Sequence, residues 1–544
     1  MLDPLWRQRA LAGLAEPFDL IVLGGGITGC GIFLDAAQRG LRVLLLERGD
    51  IASGTSSRSS KLIHGGLRYL KRMQFHLTHL AARERDRMLA VDPHLVWPIR
   101  FLYPVYQGGR PPGWQVEIGL RLYDRISRGR IADGRRRHQR LTPQDLERSA
   151  PGVSTEGLAV TFAYGDAATD DARLTLAVAS TGTAYGGLLL TRIELEDGVR
   201  DASGRLRGLR FRDLETGEVH AAEASLVVNA AGAWVDAVRH RLGITGARVR
   251  PSRGSHLIFA RERLPITEAV TIPSPDDGRP VIFIPHPEGV LAGTTDLFHD
   301  GDLDDPRPSS EEVGYLLRSV QAAFPGRSIG PEDVRGAFAG LRPIVDAGAR
   351  DPSAASREEA LWEEAGLLSV AGGKLTTWRA MAEEVVDRAL RLLPPERAGQ
   401  AAPCATAGTP VGSPAPRDLA DRLRAVHGAE PPVAAGMARR LGGLAWTASA
   451  LARGPEELRP LLDGTDLCAA EVRGHLRHGA VARLEDLLLR RARFGLWAPP
   501  VARALVPRLA PLFRDELGWS AERWDRETEA ADRALTAWTP EGVR

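Results

Sequence analysis

The chain has 544 residues, too many for one hydrophobic core, and so its length predicts two or three domains. Hydrophobic residues make up 43% and charged residues 26%, which is typical of a globular protein and excludes a disordered chain. The net charge of +2 gives no overall field, so no nucleic-acid partner is expected. The three cysteines share no metal-ligand spacing, so we expect no metal site, no disulfide framework and a reducing cytoplasm. No apolar run reaches the ~18 residues that a membrane span needs.

The stretch from Phe18 to Glu47 gives the clearest local prediction. Its apolar, β-branched run over 18–23 predicts a buried strand, and a second apolar run over 41–46 predicts another. The residues between them predict a helix over 27–39. A strand, a turn, a helix and a second strand in this order are typical of a nucleotide-binding unit in an α/β fold.

The turn between the first strand and the helix carries the GxGxxG spacing. Its glycines are Gly24, Gly26 and Gly29, and Gly25 and Thr28 lie among them. Glycines in this spacing allow a tight turn and bring a pyrophosphate close to the backbone and to the helix N-terminus. Glu47, at the end of the second strand, can accept hydrogen bonds from ribose hydroxyls and would repel a 2′-phosphate. The pattern therefore predicts FAD or NAD and disfavours NADP, without choosing between FAD and NAD.

A loop rich in serine and glycine follows Glu47, and its sequence is unusual for a linker. It carries hydroxyl groups of the kind that contact phosphates, together with basic and aromatic side chains beside glycines. The residues of interest are Ser56, Ser57, Ser60, Lys61, His64, Arg68 and Tyr69. Only three of the 71 basic residues are lysines, so Lys61 and Lys374, both in motif-like stretches, are candidate markers of tight sites.

The rest of the chain predicts strands and helices in alternation, and then a helical tail. Helices are predicted within 1–17 and over 74–90, 169–181 and 309–323, with another that ends at Leu390. Strands are predicted over 187–195, 206–212 and 218–222 as a small antiparallel layer, and also over 226–234, within 247–300, and at the start of 336–346 and 367–378. A segment rich in Pro, Ala and Gly over 396–416 predicts a linker. The tail predicts helices over 417–427, 431–453, 468–494, 499–514 and 520–538.

The segment from Arg121 to Arg140 is strongly basic. One interpretation is a solvated face. The other is contact with anionic lipid head groups, which attract clustered basic residues by ~1 kcal/mol each. The sequence leaves both interpretations open.

Several motifs occur in one order along the chain. GGGITGCGIFLDAAQRGLRVLLLE is followed by SGTSSRSSKLIHGGLRYLK and then by VVNAAGAWVD, GSHLIF, AGTTD, GLRPI and GGKLTTWR. This series resembles the FAD-dependent, aerobic glycerol-3-phosphate dehydrogenase family, a membrane-associated respiratory family. The resemblance covers most of residues 18–390, and LEDLLLRRARFGLW in the tail is similar to the family's C-terminal domain.

The resemblance implies an α/β fold in which a Rossmann-like FAD-binding domain is combined with an interleaved antiparallel-sheet substrate domain and an all-α C-terminal domain. It implies FAD, bound non-covalently, rather than NAD. The FAD-binding domain is expected within 18–395, mainly from 18–95, 155–245 and 336–395. The substrate domain is expected mainly from 96–154 and 246–335, and the helical domain from 417–544.

The reaction implied by the resemblance is oxidation of sn-glycerol 3-phosphate to dihydroxyacetone phosphate. A hydride leaves the second carbon for the flavin, and a proton leaves the hydroxyl on that carbon, so the site needs a phosphate clamp and a proton acceptor. Arg68, Arg342 and Lys374 are the expected clamp, because guanidinium and ammonium groups make short, strong contacts with phosphate. Lys374 has an alternative place beside the flavin, where its charge would stabilise the reduced anionic ring.

Two histidines lie in family motifs and are the candidate proton acceptors. They are His64, in HGG, and His256, in GSH. Imidazole has an ordinary pKa of ~6.5, near working pH, which suits it to accept a proton. We favour His64, because its loop directly follows the FAD-binding unit. Tyr69 is expected either to orient the substrate or to pack.

A further group of residues is expected to contact the flavin, its pyrophosphate or the substrate phosphate. These residues are Ser56, Ser57 and Ser60 in the serine loop, and Gly373, Lys374, Leu375 and Thr376 in GGKLTT, which opens a helix. Asp296 in GTTD and Asn229 in VVNAAG are interpreted as structural elements of the flavin domain.

Electrons are expected to pass to a membrane quinone, because the basic segment and the helical tail suit a peripheral protein on an anionic membrane surface. The expected location is the cytoplasm, at the cytoplasmic face of the inner membrane, with a homodimer as one option. The main alternative is an oxidase of the same family that uses O₂. An amine or amino-acid oxidase is less well supported, since it needs one cation rather than three. A flavin-binding protein without turnover is disfavoured, since no candidate catalytic residue is missing.

Overall fold

Two β-sheets and a helical C-terminal region make up the fold. The computed structural model describes residues 2–70, 73–126, 137–346, 348 and 359–538. Within these ranges the first sheet has eight strands and the second has ten. Helices account for most of the chain after residue 417. The predicted fold class, an α/β protein with a second interleaved sheet and a helical C-terminal part, is confirmed.

The first sheet is built around the Phe18–Glu47 unit. Its parallel strands run in the order Leu367–Ala371, Val219–Asn229, Phe18–Leu23, Val43–Leu46 and Leu188–Leu190. Antiparallel neighbours extend it, namely Ala360–Glu364 beside Leu367–Ala371, Leu206–Asp213 beside Val219–Asn229, and Ile193–Arg200 beside Leu206–Asp213. Phe18–Leu23 and Val43–Leu46 are buried along their whole length. Continuous apolar strands of this kind are typical of parallel sheets that are covered on both faces.

Helices cover one face of the first sheet, where Ile27–Gln38 packs against Asp171–Ala184 and Trp378–Leu390. The helices before the C-terminal region are Trp6–Ala12, Ile27–Gln38, Leu67–Leu70, Phe75–Val91, Gly113–Ile126, Pro143–Ser149, Asp171–Ala184, Val235–Arg241, Ser310–Ala323, Trp378–Leu390 and Pro395–Ala398. Short 3₁₀ helices span Gly13–Ala15, Thr55–Ser57, Gly232–Trp234, Pro331–Asp333, Leu375–Thr377 and Thr406–Gly408. The predicted helices over 27–39, 74–90, 169–181 and 309–323 are confirmed, with small shifts at their ends.

The second sheet is mostly antiparallel. Its strands run in the order Leu297–Phe298, Val249–Phe259, Gly289–Gly293, Pro280–His286, Ala269–Pro273, Val96–Tyr106, Leu158–Thr169 and Leu62–Ile63. Val334–Val345 pairs with Val249–Phe259, and Gln139–Leu141 pairs with Leu158–Thr169. Ala269–Pro273 and Val96–Tyr106 pair in parallel.

Two strands lie in the second sheet although the sequence analysis placed their segments, 155–245 and 336–395, mainly in the FAD-binding domain. They are Leu158–Thr169 and Val334–Val345. A glycine after a strand indicates a close backbone approach, but it does not reveal which sheet the strand joins. Gly340 shows the approach that is made here, since a Cβ at this position would lie 2.2 Å from the carbonyl oxygen of Arg58. The other domain boundaries stay a prediction.

The C-terminal region contains more and shorter helices than the sequence predicts. They span Leu419–His427, Pro431–Leu441, Leu444–Ser449, Ala469–His478, Leu484–Asp486, Phe494–Trp497, Pro499–Leu517 and Ala521–Ala537, with a 3₁₀ helix at Pro455–Leu458 and a π-helix at Leu487–Arg491. The predicted span 431–453 is broken because Gly442 adopts a positive φ of 57°. No helix in the described ranges is long and apolar enough to cross a bilayer.

The segment over 396–416, predicted as a linker, is pinned to the first sheet's helices. The Val411 amide donates to Asp92 Oδ1 at 2.8 Å, and the Gly412 amide donates to Thr181 Oγ1 at 2.8 Å. Composition therefore predicts the lack of long regular elements here, but it does not predict these contacts.

Candidate active site

A cavity of about 1560 Å³ lies where the two sheets meet the C-terminal helices. Its wall includes the glycine turn, the serine loop, strand ends of the second sheet and the GGKLTT turn. The predicted site residues on the wall are Gly24, Gly26, Thr28, Glu47, Ser56, Ser60, His64, His256, Arg342, Gly373, Lys374, Leu375 and Thr376. Gly25, Gly29 and Ser57 are not on it. One cavity therefore joins most of the residues that the sequence predicts.

The glycine turn has the shape that a pyrophosphate requires. Gly24 has a φ of +111°, and a Cβ there would lie 2.7 Å from the carbonyl oxygen of Ala230. A Cβ at Gly29 would lie 1.9 Å from the carbonyl oxygen of Gly24, so only glycine lets the helix pack this closely on the strand. Gly26 precedes the helix Ile27–Gln38 and lines the cavity. The backbone and the helix N-terminus are thus open to an anionic group.

Glu47 closes the nucleotide side of the cavity. Its Oε2 accepts a hydrogen bond from the Gly25 amide at 2.5 Å, and its Oε1 accepts one from the Gly49 amide at 2.6 Å. Burial raises the pKa of Glu47, although these two amides act in the opposite direction. The carboxyl group lies on the cavity wall, where it suits a ribose hydroxyl.

The three predicted serines have different positions. Ser56 Oγ accepts a hydrogen bond from the Ile27 amide at 2.9 Å, so the serine loop satisfies a free donor at the helix N-terminus. Ser60 Oγ lies 2.8 Å from His256 Nε2. Ser57 is buried off the cavity, and its Oγ contacts the Gly54 carbonyl at 3.4 Å. A direct contact between Ser57 and a ligand in this cavity is therefore not supported by its position.

His256 is a buried, neutral imidazole on the cavity wall. Apart from Ser60, its ring stacks on Phe338 with centroids 4.8 Å apart, and its buried Nδ1 has no hydrogen-bond partner among the described residues. Burial, together with the positive charges of Arg342 and Lys61, lowers its pKa well below the ordinary value. The imidazole is therefore unprotonated near pH 7.

Arg342 reaches the same cavity from the strand Val334–Val345. Its Nη1 lies 3.0 Å from Asp296 Oδ1, and its Nη2 donates to Thr294 Oγ1 at 3.1 Å. Asp296, interpreted from the sequence as a structural element, lies on the cavity wall between the second-sheet strands Gly289–Gly293 and Leu297–Phe298, where it holds Arg342. Asn229 is structural, since its Nδ2 donates to the Val235 carbonyl at 3.0 Å.

His64 and the GGKLTT turn meet at the cavity wall. The His64 amide lies 3.2 Å from Thr376 Oγ1, which lies 3.3 Å from the His64 carbonyl oxygen. Lys374 directly precedes the short 3₁₀ helix Leu375–Thr377, which continues into Trp378–Leu390. A helix that starts at a cavity wall presents free amides to it.

The backbone of Arg68 and Tyr69 forms part of the helix Leu67–Leu70. Their side chains, which the sequence analysis assigned to the substrate, lie outside what the structure describes. Residues 127–136 of the basic segment also lie outside the described residues.

Other cavity residues went unnoticed in the sequence. Arg58 lines the cavity and holds its guanidinium 5.2 Å from the ring centroid of Trp538, which lines the cavity as well. Trp538 follows the last helix, so the C-terminal region supplies part of the wall. Arg58 lies within SGTSSRSS in the serine loop, and this position could have indicated that it lines the site. No sequence signal marks Trp538.

Comparison with known proteins shows the family to which the chain belongs. Residues 19–388 match the family described as FAD dependent oxidoreductase, and residues 404–524 match the C-terminal domain of alpha-glycerophosphate oxidase. A protein named aerobic glycerol-3-phosphate dehydrogenase from Staphylococcus haemolyticus is 37% identical over 401 residues, 73% of this chain and 71% of that protein. One of the same name from Staphylococcus aureus strain USA300 is 36% identical over 398 residues, 73% of this chain and 71% of that protein.

A glycerol-3-phosphate dehydrogenase from Bacillus halodurans, solved as a complex with FAD, has a similar structure. Its TM-score is 0.80 at 27% identity, with 99% of each chain covered. An L-alpha-glycerophosphate oxidase from Mycoplasma pneumoniae shares the fold, with a TM-score of 0.53 at 19% identity and coverage of 70% of this chain and 95% of that one. Fold and site together define an FAD-dependent oxidoreductase. Within that class, the chain belongs to the aerobic glycerol-3-phosphate dehydrogenase family.

Proposed function

We propose that this protein oxidises sn-glycerol 3-phosphate to dihydroxyacetone phosphate and passes the electrons to a membrane quinone. The observation that carries the proposal is a single cavity that joins the glycine turn to a buried neutral histidine and to a positioned arginine. A nucleotide-binding edge, a proton acceptor and a cation are the groups that this reaction needs. The family membership agrees with the same reaction.

FAD fits the nucleotide side of the cavity. A Cβ at Gly24 or Gly29 would meet a backbone carbonyl oxygen, Gly26 lies on the cavity wall, and the Glu47 carboxyl group on the same wall suits ribose hydroxyls. Ser56 orders the helix N-terminus through its contact with the Ile27 amide. When bound, FAD supplies a two-electron acceptor for the hydride from the second carbon of the substrate.

The substrate phosphate is assigned to Arg342 and Lys374. Asp296 Oδ1 lies 3.0 Å from Arg342 Nη1, and Thr294 Oγ1 accepts a hydrogen bond from Nη2 at 3.1 Å, so the guanidinium is held in place at the cavity wall. A guanidinium fork binds two phosphate oxygens at once, while an ammonium group acts as a point charge. The two residues therefore hold a dianion and orient the carbon skeleton beside the imidazole.

His256 is the residue to which we assign the hydroxyl proton. Its lowered pKa keeps the imidazole unprotonated, and Ser60 fixes the ring through Nε2. His64 is the alternative acceptor on the same wall. The variants His256→Asn and His64→Asn distinguish the two candidates. Loss of the true proton acceptor should slow flavin reduction far more than it weakens substrate binding.

The exposed face of the helix Gly113–Ile126 supports contact with a membrane. Trp114 is 67% exposed and Ile118 57% exposed, and Arg121 and Arg125 continue the same face. An apolar stripe that ends in basic residues suits the boundary of an anionic bilayer. The same helix lines the cavity through Gln115, Gly119 and Leu122, so a lipid-soluble quinone would enter beside the reacting groups.

The test of the substrate is an anaerobic titration of the yellow holoprotein. Glycerol 3-phosphate is expected to bleach the flavin, whereas glycerol, which lacks the phosphate, is expected not to bleach it at the same concentration. Absence of bleaching by glycerol 3-phosphate would remove the assignment.

The test of the acceptor mixes the reduced protein with a soluble quinone or with air-saturated buffer. Fast reoxidation by quinone and slow reoxidation by oxygen are expected, while fast oxidation with release of peroxide would make the protein an oxidase. Flotation with vesicles containing anionic lipid tests the membrane face. The variant Trp114→Ser, at an exposed residue that is not on the cavity wall, is expected to bind vesicles less, with flavin reduction in solution unchanged.

A further inference from the structure

One fully buried carboxylate, Asp171, collects five hydrogen-bond donors beside the cavity. They are the Ser59 amide at 3.0 Å, Ser59 Oγ at 2.7 Å, Lys61 Nζ at 2.8 Å, the Ala172 amide at 2.9 Å and Arg493 Nη2 at 3.0 Å. A buried carboxylate that is satisfied in this way holds its donors firmly, because the loss of any one leaves charge uncompensated in a low-dielectric interior. The geometry therefore makes Asp171 a fixed point for the serine loop.

Ser60 lies between the two loop residues that Asp171 holds. Ser59 is bound through both its amide and its hydroxyl, and Lys61 is bound through its ammonium group and also donates to the Ser57 carbonyl at 3.1 Å. The backbone of Ser60 is thus tethered on both sides. Its hydroxyl points at His256 Nε2 at 2.8 Å, the only polar side-chain contact of that imidazole among the described residues.

Arg493 reaches Asp171 from the C-terminal region, 322 positions along the chain. It follows the π-helix Leu487–Arg491, adopts a positive φ of 67° and is buried. Its Nε also lies 3.5 Å from Asp170 Oδ2. Two cations, Lys61 and Arg493, therefore share Asp171. Lys61 belongs to the serine loop, whereas Arg493 belongs to the C-terminal region.

We propose that Arg493 is a positioning residue for His256, acting through Asp171 and the tethered Ser60, an inference that rests on the proposed function. The helical C-terminal region thereby sets the geometry of proton transfer although Arg493 is not on the cavity wall. Loss of the Arg493 contact frees Asp171 to move, Ser60 follows, and the imidazole loses its fixed orientation. The chemical step slows, while substrate binding by Arg342 and Lys374 is kept.

The test compares Arg493→Met and Arg493→Lys in the holoenzyme by single-turnover flavin reduction. The matched control is Arg192→Met, which removes another buried arginine whose ion pair with Asp486 joins the C-terminal region to the rest of the chain. For Arg493→Met we expect the limiting reduction rate to fall about tenfold, the scale of one lost hydrogen bond, with a substrate dissociation constant within about twofold. Arg493→Lys should recover part of the rate, and Arg192→Met should leave it unchanged.

A double-mutant cycle decides whether Arg493 acts through Ser60. If it does, Ser60→Ala with Arg493→Met reduces flavin no more slowly than Ser60→Ala alone. Effects that multiply would overturn the proposal. If Arg493→Met does not retain flavin, Ser59→Ala loosens the same tether more gently, and an unchanged reduction rate in that variant would contradict the proposal.

A second readout needs no turnover. In protein labelled with ¹⁵N-histidine, the ring signals of His256, assigned by His256→Asn, should shift alike in Arg493→Met or Arg493→Lys and in Ser60→Ala, and should stay in place in Arg192→Met. Unmoved signals in the Arg493 variants would overturn the positioning role. If wild-type flavin were not reduced by glycerol 3-phosphate, the proposed function would fail, but this comparison would still decide the role of Arg493.

Discussion

The two sides of the cavity are built in different ways. The nucleotide side comes mainly from one contiguous stretch, Phe18 to Glu47, to which the serine loop adds Ser56. The proposed substrate side is formed by His256, Arg342 and Ser60, which lie far apart in the chain. Ser60 contacts His256, and Asp296 holds Arg342. The predicted cofactor site is thus largely local in the sequence, whereas the proposed chemistry depends on residues from distant parts of the chain.

The largest expected effect is the loss of flavin from a variant that alters only the nucleotide side of the cavity. In Gly29→Ala the new Cβ would lie 1.9 Å from the Gly24 carbonyl oxygen, so the helix must move away from the glycine turn. Overpacking of this kind costs about 1–3 kcal/mol, and here it falls on the cofactor's binding edge. We expect most of the bound flavin to be lost, measured as the ratio of flavin to protein absorbance.

The control for this variant is Gly326→Ala, where nothing lies within 4 Å of the added Cβ. It should keep its flavin. Full flavin content in Gly29→Ala would contradict the assignment of the glycine turn to the cofactor.

The next largest expected effect is a loss of kcat/KM in a variant that alters the substrate side and keeps its flavin. Arg342→Met removes the guanidinium that Asp296 orients toward the cavity. A hydrogen bond to a charged group contributes about 1.5–3 kcal/mol, so kcat/KM should fall by about 10- to 150-fold. Steady-state kinetics with a soluble quinone measure this loss. Arg335→Met, on the same strand but half-exposed, should behave as wild type, and an equal loss there would point to a general effect on the strand.

A smaller effect tests whether Asp296 orients the clamp. Asp296→Asn keeps a hydrogen-bond acceptor for Arg342 but removes the charge that holds the guanidinium. Because the phosphate contact itself remains, we expect a rise in KM of about 2- to 12-fold, the effect of one ordinary hydrogen bond. An unchanged KM would mean that Arg342 keeps its place through Thr294 and the strand alone.

The smallest effect is a shift in pH dependence. The charges of Arg342 and Lys61 and burial all lower the pKa of His256, so wild-type flavin reduction should keep its rate below pH ~6.5. Removing one positive charge in Arg342→Met raises the pKa of His256, which moves the acid limb of the rate to higher pH. Stopped-flow reduction from about pH 5 to about pH 8, on both sides of the ordinary imidazole pKa of ~6.5, measures the limb.

The same profile distinguishes the two histidines. If the limb is unaffected in Arg342→Met but disappears in His64→Asn, then His64 is the proton acceptor. His256 would then serve to orient the substrate.

Sequence reasoning worked best where structure is local. The strand Phe18–Leu23 and the helix from Ile27 follow from periodicity and glycine spacing, and the structure places both as predicted. The sequence did not predict which of the two sheets a strand joins. Val334–Val345 is an example, because the residue pattern of a strand does not specify the neighbouring strand with which it pairs. Helix ends in the C-terminal region were missed where a glycine such as Gly442 interrupts an otherwise continuous pattern.

The residues of the candidate site were predicted from motifs, whereas the residues that hold them in place were not. His256 and Arg342 could be named from GSH and GLRP, but the contact between Asp296 and Arg342 could not be predicted, because the two residues are 46 positions apart. Arg493 and Asp171 carry no local signal, since a buried ion pair between residues 322 positions apart has no periodicity to detect. Lys61 was noticed through the rarity of lysine, and it is fully buried beside Asp171. Burial lowers its pKa to about 8, and Arg493 adds to the shift against the opposing charge of Asp171.

The central claim is that this cavity transfers a hydride from the second carbon of glycerol 3-phosphate. The most direct test is anaerobic stopped-flow mixing of the holoprotein with glycerol 3-phosphate, either unlabelled or carrying deuterium on that carbon. The account predicts bleaching of the flavin that is clearly slower with the deuterated substrate, because breaking that bond limits reduction. Failure to bleach, or bleaching by another substrate only, would contradict it.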